Sequence, residues 1–287
     1  MGILSNWVYG AIGFQGWLPN LVALLLIFAQ GLMINAIVFQ FRMSNEINLF
    51  PGLFYILIGS LIPEFYHLTP LLMANTFYIM AIWGLFGTYK VPSCANRIFN
   101  IGLLMAISSL FYFSYILFIL QAIVGLNILR AFQIRERLMV IVGAIIPYFY
   151  LGFYYFWHDE LNYFLELQFS NNTGFLDFTL QTGLDLYIGL GLFIILFLVA
   201  ILSYGEYTSK KQIQVQKKMN ILFWGLLITG LSLLVQADIQ LEHLLILNVP
   251  LGIFIAENFT LMSRRTAETI HWVIVFGILF MQYSPLA

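Results

Sequence analysis

From Leu18 to Phe41 the chain reads LPNLVALLLIFAQGLMINAIVFQF, 24 residues with no charged side chain. At about 1.5 Å of rise per helical residue, such a run is long enough to cross the ~30 Å hydrocarbon core of a bilayer. Burying it in a water-soluble protein would require a polar shell, and the composition supplies none. Only 9% of residues are charged and 61% are hydrophobic, against about 25% charge in an ordinary soluble domain. The pattern also repeats downstream. Apolar segments at roughly 18–41, 50–63, 66–86, 98–112, 115–130, 138–157, 185–204, 219–236, 243–262 and 269–284 alternate with short polar turns. The expected class is therefore all-α integral membrane: about ten apolar helices forming one polytopic domain over residues 1–287.

The basic residues orient this array. With the N-terminus outside and each segment crossing or reversing, the inside turns are 42–49, 87–97, 131–137, 205–218 and 263–268. Arg42, Lys90, Arg97, Arg130, Arg135, Arg137, Lys210, Lys211, Lys217, Lys218, Arg264 and Arg265 lie in these turns or at a helix end facing them. They are every Lys and Arg in the chain. Because cytoplasmic turns carry the excess of basic residues, this assignment places both termini outside. It also divides two long stretches. A single helix over 98–130 would put Arg97 and Arg130 on opposite faces, so the segment is expected to be a hairpin of short helices broken near Tyr112-Phe113-Ser114-Tyr115. Residues 50–86 form a second such hairpin, whose outer turn holds Pro63 and Pro70; both remove a backbone donor and stop the flanking helices. Non-helical backbone at membrane depth has to be buried in protein or line a wet space, and the reading here is an internal cavity opening outward.

Three further segments have distinct character. Residues 1–17 carry no charge and set Trp7, Tyr9 and Trp17 at headgroup depth. They read as an outer interfacial segment, or as the remnant of another spanning helix. Residues 158–184 form an outer acidic loop, in which Leu161, Phe164, Leu165 and Phe169 outline a short amphipathic helix. The inner basic loop, 205–218, places four lysines beside anionic headgroups, as lipid contact or as a docking surface for a cytoplasmic partner. Cys94 is the sole cysteine, which excludes an intrachain disulfide. No phosphate-binding glycine loop, soluble catalytic motif or nucleic-acid surface is present, and no cofactor is evident.

The residues able to carry chemistry lie mostly outside. Glu64, Asp159, Glu160, Glu166, Asp177, Asp185, Asp238 and Glu242 map to the outer side, with His67, His158 and His243 beside them. Three helix ends thus present an acid with an imidazole, the residue types that bind a divalent metal or perform general acid–base catalysis. The plainer reading is that acids gather outside once Lys and Arg have set the orientation. Glu257 is the one acid firmly within a helix, and ionisable groups at membrane depth are functional candidates by default. It sits near the inner end, where it meets either Arg264 on the same face or a group from another helix. Asn35, Asn75, Gln121, Asn127 and Asn248 are polar but not titratable, which suits them to tying helices together.

Residues 20–150 resemble an uncharacterised family of polytopic inner-membrane proteins of the Bacteroidota, known as a domain of unknown function. The resemblance rests on Gln30-Gly-Leu-Met-Ile-Asn35, Phe50-Pro51-Gly52-Leu53-Phe54-Tyr55, Ser60-Leu-Ile-Pro-Glu-Phe65, Leu68-Thr-Pro-Leu-Leu-Met-Ala-Asn75, Ile98-Phe-Asn-Ile-Gly102 and Leu110-Phe-Tyr-Phe113. It implies a bacterial inner-membrane location and brings no activity. Similarity of a broader kind is to membrane glycosyltransferases that use polyprenyl-phosphate sugars, in the paired short helices and Gly102-Leu-Leu-Met-Ala106. Those enzymes keep a catalytic acid on the first outer loop, where this chain has Glu64, and basic residues that hold the lipid phosphate, of which its outer face has none.

Three functions follow as expectations. The first is a non-enzymatic inner-membrane subunit or scaffold of a bacterial envelope complex, binding partner helices or lipid. The second is a glycosyltransferase-like protein, active or degenerate, acting on a polyprenyl-linked substrate, with Glu64 as base and His67, His158, Asp159, Glu160, Glu242 and His243 as metal ligands or acid–base partners. The third is a small-solute transporter.

Overall fold

The computed structural model describes residues 1–14, 16–44, 48–61, 67–172, 177–178, 184–209, 211–235, 238–239 and 241–283. Each of the ten apolar segments contains an α-helix among the described residues. The helices are α1 (Ile3–Ile12), α2 (Trp17–Gln40), α3 (Phe50–Gly59), α4 (Pro70–Phe86), α5 (Ala95–Phe111), α6 (Phe118–Leu129), α7 (Ile134–Trp157), α8 (Leu161–Gln168), α9 (Leu184–Ser209), α10 (Ile213–Val235), α11 (Asn248–Leu261) and α12 (Arg264–Tyr283). Tight 3₁₀ turns at Phe113–Leu117 and Leu241–Leu247 lead into α6 and α11. A two-residue parallel pairing, Asp177–Phe178 against Asp238–Ile239, joins the segments before α9 and after α10.

Among the described residues, three helical segments are long and apolar enough to cross a membrane alone: Trp17–Gln40, Ile134–Trp157 and Glu242–Leu261. Ten independent full crossings are therefore not what the fold provides. Four of the other helices are short: α3 has 10 residues, α4 and α5 have 17 each and α6 has 12, and at ~1.5 Å per residue even 17 residues rise only ~25 Å. Helices α9, α10 and α12 are longer, at 26, 23 and 20 residues. The three long segments also differ in surroundings. The window ending α11 is 83% buried, whereas those of α2 and α7 are 33% and 22% buried. A helix apolar all round belongs in the centre of a bundle, and α11 is there, with every residue from Asn248 to Phe259 buried. Helices α2 and α7 instead expose apolar faces, including Leu24, Leu25, Phe28 and Leu32 on one and Ile145, Phe149, Phe153 and Trp157 on the other.

The hairpin over 98–130 closes as charge placement predicts, while Pro63 and the rest of the 62–66 turn of the other lie outside the described residues. Arg97, at the start of α5, donates to the Gly87 carbonyl, and Arg130, just past α6, donates to the carbonyls of Thr88 and Val91. Both ends of 98–130 therefore meet the same turn. The apex lies at the other end of the bundle, where the Gly2 amide donates to the Phe111 carbonyl. At the break, Tyr112 takes an extended conformation (φ −143°, ψ 117°) and ends α5. Tyr112, Phe113, Ser114 and Tyr115 are all buried, so the irregular backbone is packed in protein and does not line an outward-opening cavity.

Helices α5 and α7 form the most extensive interface in the fold, and glycine permits it. A Cβ on Gly102 would come 2.0 Å from the Val140 carbonyl oxygen, and one on Gly143 would come 2.2 Å from that of Phe99. Ala106 and Ala144 continue the two small-residue faces and are buried. Where lipid removes the hydrophobic drive between helices, close backbone approach through small residues is what holds them.

Candidate functional site

A bundle this apolar can carry polar side chains inside only if each finds a partner. The interior holds a series of such pairs, each spanning two or more helices. Gln30 of α2 donates from its side-chain amide to the Leu72 carbonyl and to Thr76 Oγ1, both at 2.7 Å, and accepts from the Tyr55 hydroxyl of α3. The Tyr115 hydroxyl donates to Asn75 Oδ1, and the Asn75 amide donates to the Leu245 carbonyl at 3.2 Å. The Tyr78 hydroxyl donates to Gln121 Oε1 at 3.0 Å, and Gln121 Nε2 donates to the Ile221 carbonyl at 2.9 Å. Asn248 Nδ2 donates to the Tyr55 carbonyl at 3.0 Å. Asn35 accepts from the Gly52 amide at 2.8 Å, and Asn127 accepts from Arg137 at 2.6 and 3.0 Å. All five amides singled out in the sequence thus join separate elements.

One expected outer-face group belongs to this interior. His243 is fully buried, with Tyr112 Oη 3.2 Å from Nδ1 and Ser232 Oγ 2.8 Å from Nε2. Ser232 Oγ donates its hydrogen to the Thr229 carbonyl at 2.7 Å, so it accepts from Nε2–H of the neutral imidazole while the Tyr112 hydroxyl donates to Nδ1. Both ring nitrogens are engaged, and the imidazole acts as a link between α5's end and α10.

The remaining outer candidates are dispersed. His158, Asp159 and Glu160 are exposed at the end of α7, His158 lying 2.8 Å from the Tyr154 carbonyl of its own helix. Asp159 has φ 58°, the left-handed position that commonly ends a helix. His67 is exposed, and Glu242 is partly buried. Glu242 lies near Tyr9, whose hydroxyl is held well above its ordinary pKa first by burial and then by this negative charge. Glu64 lies outside the described residues. Among the described residues no three of His, Cys, Asp and Glu come within reach of a common metal ion. This end is closed instead by ordinary bonds: Ile3 N to Gln168 Oε1 at 3.1 Å, Gln168 Nε2 to the Ser109 carbonyl at 2.9 Å, and Tyr9 Oη to the Leu68 carbonyl at 2.7 Å. Helix α1 is thereby docked onto the ends of α4, α5 and α8.

The charged groups assemble at the opposite end. Arg130 grips Glu136 with Nη2–Oε1 at 2.6 Å and Nε at 3.0 and 3.1 Å to the two carboxylate oxygens. Arg137 reaches the other face of the same carboxylate at 3.4 Å. Lys90, Lys217 and Lys218 stand 5.5, 5.6 and 5.9 Å from the centre of the Tyr89 ring. Deepest is Lys211, from the link between α9 and α10. Its Nζ lies 2.7 Å from Glu257 Oε2 and 3.1 Å from the Met43 carbonyl, and the two side chains are 4% and 1% exposed. Glu257 is therefore answered from another segment of the chain. The helical spacing that suggests Arg264 carries no information about a link folding back from α9, and Lys211 had no mark to distinguish it from its three neighbouring lysines. The buried tyrosines 55, 78 and 115 were likewise not singled out, because an aromatic ring in an apolar helix gives no sign of where its hydroxyl points.

Most hydroxyl and amide groups of this interior are held in fixed pairs, an arrangement that sets helix positions, whereas Thr208 Oγ1, Asn248 Oδ1 and Asn258 Nδ2 are buried without a hydrogen-bond partner among the described residues. Comparison with protein families, curated proteins and solved structures returned no match for this chain.

Proposed function

We propose that the protein is a multi-pass component of a bacterial inner membrane, with the basic end in the cytoplasm and both termini outside, acting as a non-enzymatic subunit or scaffold of an envelope complex. The observation that carries this reading is the contrast between interior and exterior. Most of the described polar side chains within the bundle join its helices, while α7 presents Leu138, Ile141, Val142, Ile145, Phe149, Phe153, Phe156 and Trp157 outward. An apolar face of that extent needs lipid or another helix against it. The positively charged end supports the orientation, because lysine and arginine are retained on the cytoplasmic side.

The glycosyltransferase-like reading would rest on Glu64 with metal-sharing partners, and the described candidates do not come together. Purification from native membranes in mild detergent, followed by mass spectrometry of what co-purifies, separates the two. The scaffold reading expects one or more membrane or envelope proteins in stoichiometric amount. Recovery of the chain alone, carrying a polyprenyl lipid, would contradict it and return attention to Glu64.

A further inference from the structure

A cavity of about 340 Å³ opens at the basic end between the close of α2, the turn after α4 and the first turns of α10. Gln40, Phe41, Arg42, Phe86, Tyr89 and Lys218 line it, and among the described residues no acidic side chain does. Lys218 is only 3% exposed, and its ammonium lies 4.5 Å above the Phe41 ring. Among the described residues it has no hydrogen-bond acceptor and no ion-pair partner. A cation on a largely buried side chain, close to an aromatic ring and with no described carboxylate to answer it, favours an anion entering the cavity. Lys211, by comparison, has its carboxylate. Arg42 stands at the rim with φ 50° and is exposed, with no ion-pair partner among the described residues. Gln40 accepts from Trp83 Nε1 at 2.7 Å through Oε1, which leaves its amide hydrogens for a ligand.

The surroundings define the anion further. The floor is aromatic, from Phe41 and Phe86, and the adjoining surface of α2 is apolar, with Phe39 63% exposed. A phosphate held by Lys218, Arg42 and the Gln40 amide would therefore have hydrocarbon-compatible surface directly beside it. We propose that this cavity binds the phosphate of an anionic phospholipid from the cytoplasmic leaflet, with the acyl chains lying along the exposed face of α2. Basic pockets between helices on that side of a membrane are suited to such headgroups. The inference uses the bilayer placement of the basic end and is independent of the scaffold role, so failure to find partner proteins leaves it standing.

The test uses the full chain in phosphatidylcholine nanodiscs containing graded phosphatidylglycerol, with bound lipid counted by native mass spectrometry after release. Parallel samples in detergent receive phosphatidylglycerol, phosphatidylcholine or inorganic phosphate, with thermal stability as the readout. The wild type should retain phosphatidylglycerol and be stabilised by it. Lys218→Gln and Arg42→Gln should each weaken retention about five- to tenfold, the loss expected for one cation against an anionic headgroup. Arg42→Gln is the safer variant, because its side chain is exposed and its loss spares the fold. Arg265→Gln, on the exposed first turn of α12, should change nothing. Equal retention by the Lys218 and Arg42 variants would overturn the site, and stabilisation by inorganic phosphate equal to that by phosphatidylglycerol would overturn the assignment to a lipid.

Discussion

Lys211→Met should destabilise the protein by about 3–5 kcal/mol, the usual cost of stranding one member of a buried ion pair. Glu257 would keep a carboxylate in a site 1% exposed, with its cation gone. Glu257→Gln should act similarly from the other side, leaving the Lys211 ammonium with the Met43 carbonyl and no countercharge. The double variant Lys211→Met/Glu257→Leu is the informative one. Replacing a buried pair by apolar groups of similar size is often neutral or stabilising, so it should recover most of the loss. The readout is the temperature at which half of the detergent-solubilised protein leaves the folded peak in size-exclusion chromatography. Near-wild-type behaviour of both single variants would show that water reaches the pair and that it is not the tie between α11, the α9–α10 link and the end of α2.

The second large effect is expected where α5 crosses α7. Gly102→Ala puts a methyl group 2.0 Å from a backbone oxygen. A carbonyl of a packed helix cannot swing aside as a side chain can, so the helices must separate. Overpacking of this kind costs about 1–3 kcal/mol, and Gly102→Leu should prevent accumulation of folded protein. Gly143→Ala should behave as Gly102→Ala does. The control is Gly191→Ala in α9, where an added Cβ meets nothing within 4 Å. There the change should be neutral or stabilising by up to about 1 kcal/mol, because alanine favours the helix over glycine. The same thermal assay in detergent reads all four. Equal behaviour at positions 102 and 191 would refute the close crossing.

These variants also mark what the amino-acid sequence makes legible. Helix positions follow from hydropathy, and the basic residues mark which helix ends lie together: Arg97 and Arg130 meet the same turn because a single straight helix could not place them there. The amphipathic stretch around Phe164 folds as α8 for the same local reason, a spacing of apolar residues along one face. Long-range identity is a different matter. His243 adjoins two acids in sequence yet is buried between Tyr112 and Ser232, because the turn preceding α11 packs inside the bundle. Glu257 takes Lys211 through a reversal that no local pattern encodes. Of about ten apolar helices expected, three described segments are long and apolar enough to cross alone, because a run of apolar residues signals burial whether lipid or protein surrounds it, and α3, α4, α5 and α6 are short.

Cys94 offers a direct probe of the central claim that the basic end faces the cytoplasm. It is the chain's sole cysteine, lies in the turn gripped by Arg97 and Arg130, and is partly exposed. Burial pushes its thiol above the ordinary range, with Arg130 and Arg97 pulling down and Glu136 pushing up. Less thiolate is therefore present at neutral pH, and labelling should keep quickening as pH rises past about 8.5, the ordinary thiol value. The measurement is labelling by a membrane-impermeant maleimide in intact spheroplasts, beside a Cys94→Ser chain carrying Glu160→Cys at the exposed end of α7. Cys94 should react only after the membrane is permeabilised, and the cysteine at position 160 should react at once. Reaction of Cys94 in intact spheroplasts, or of both positions from the same side, would contradict the account.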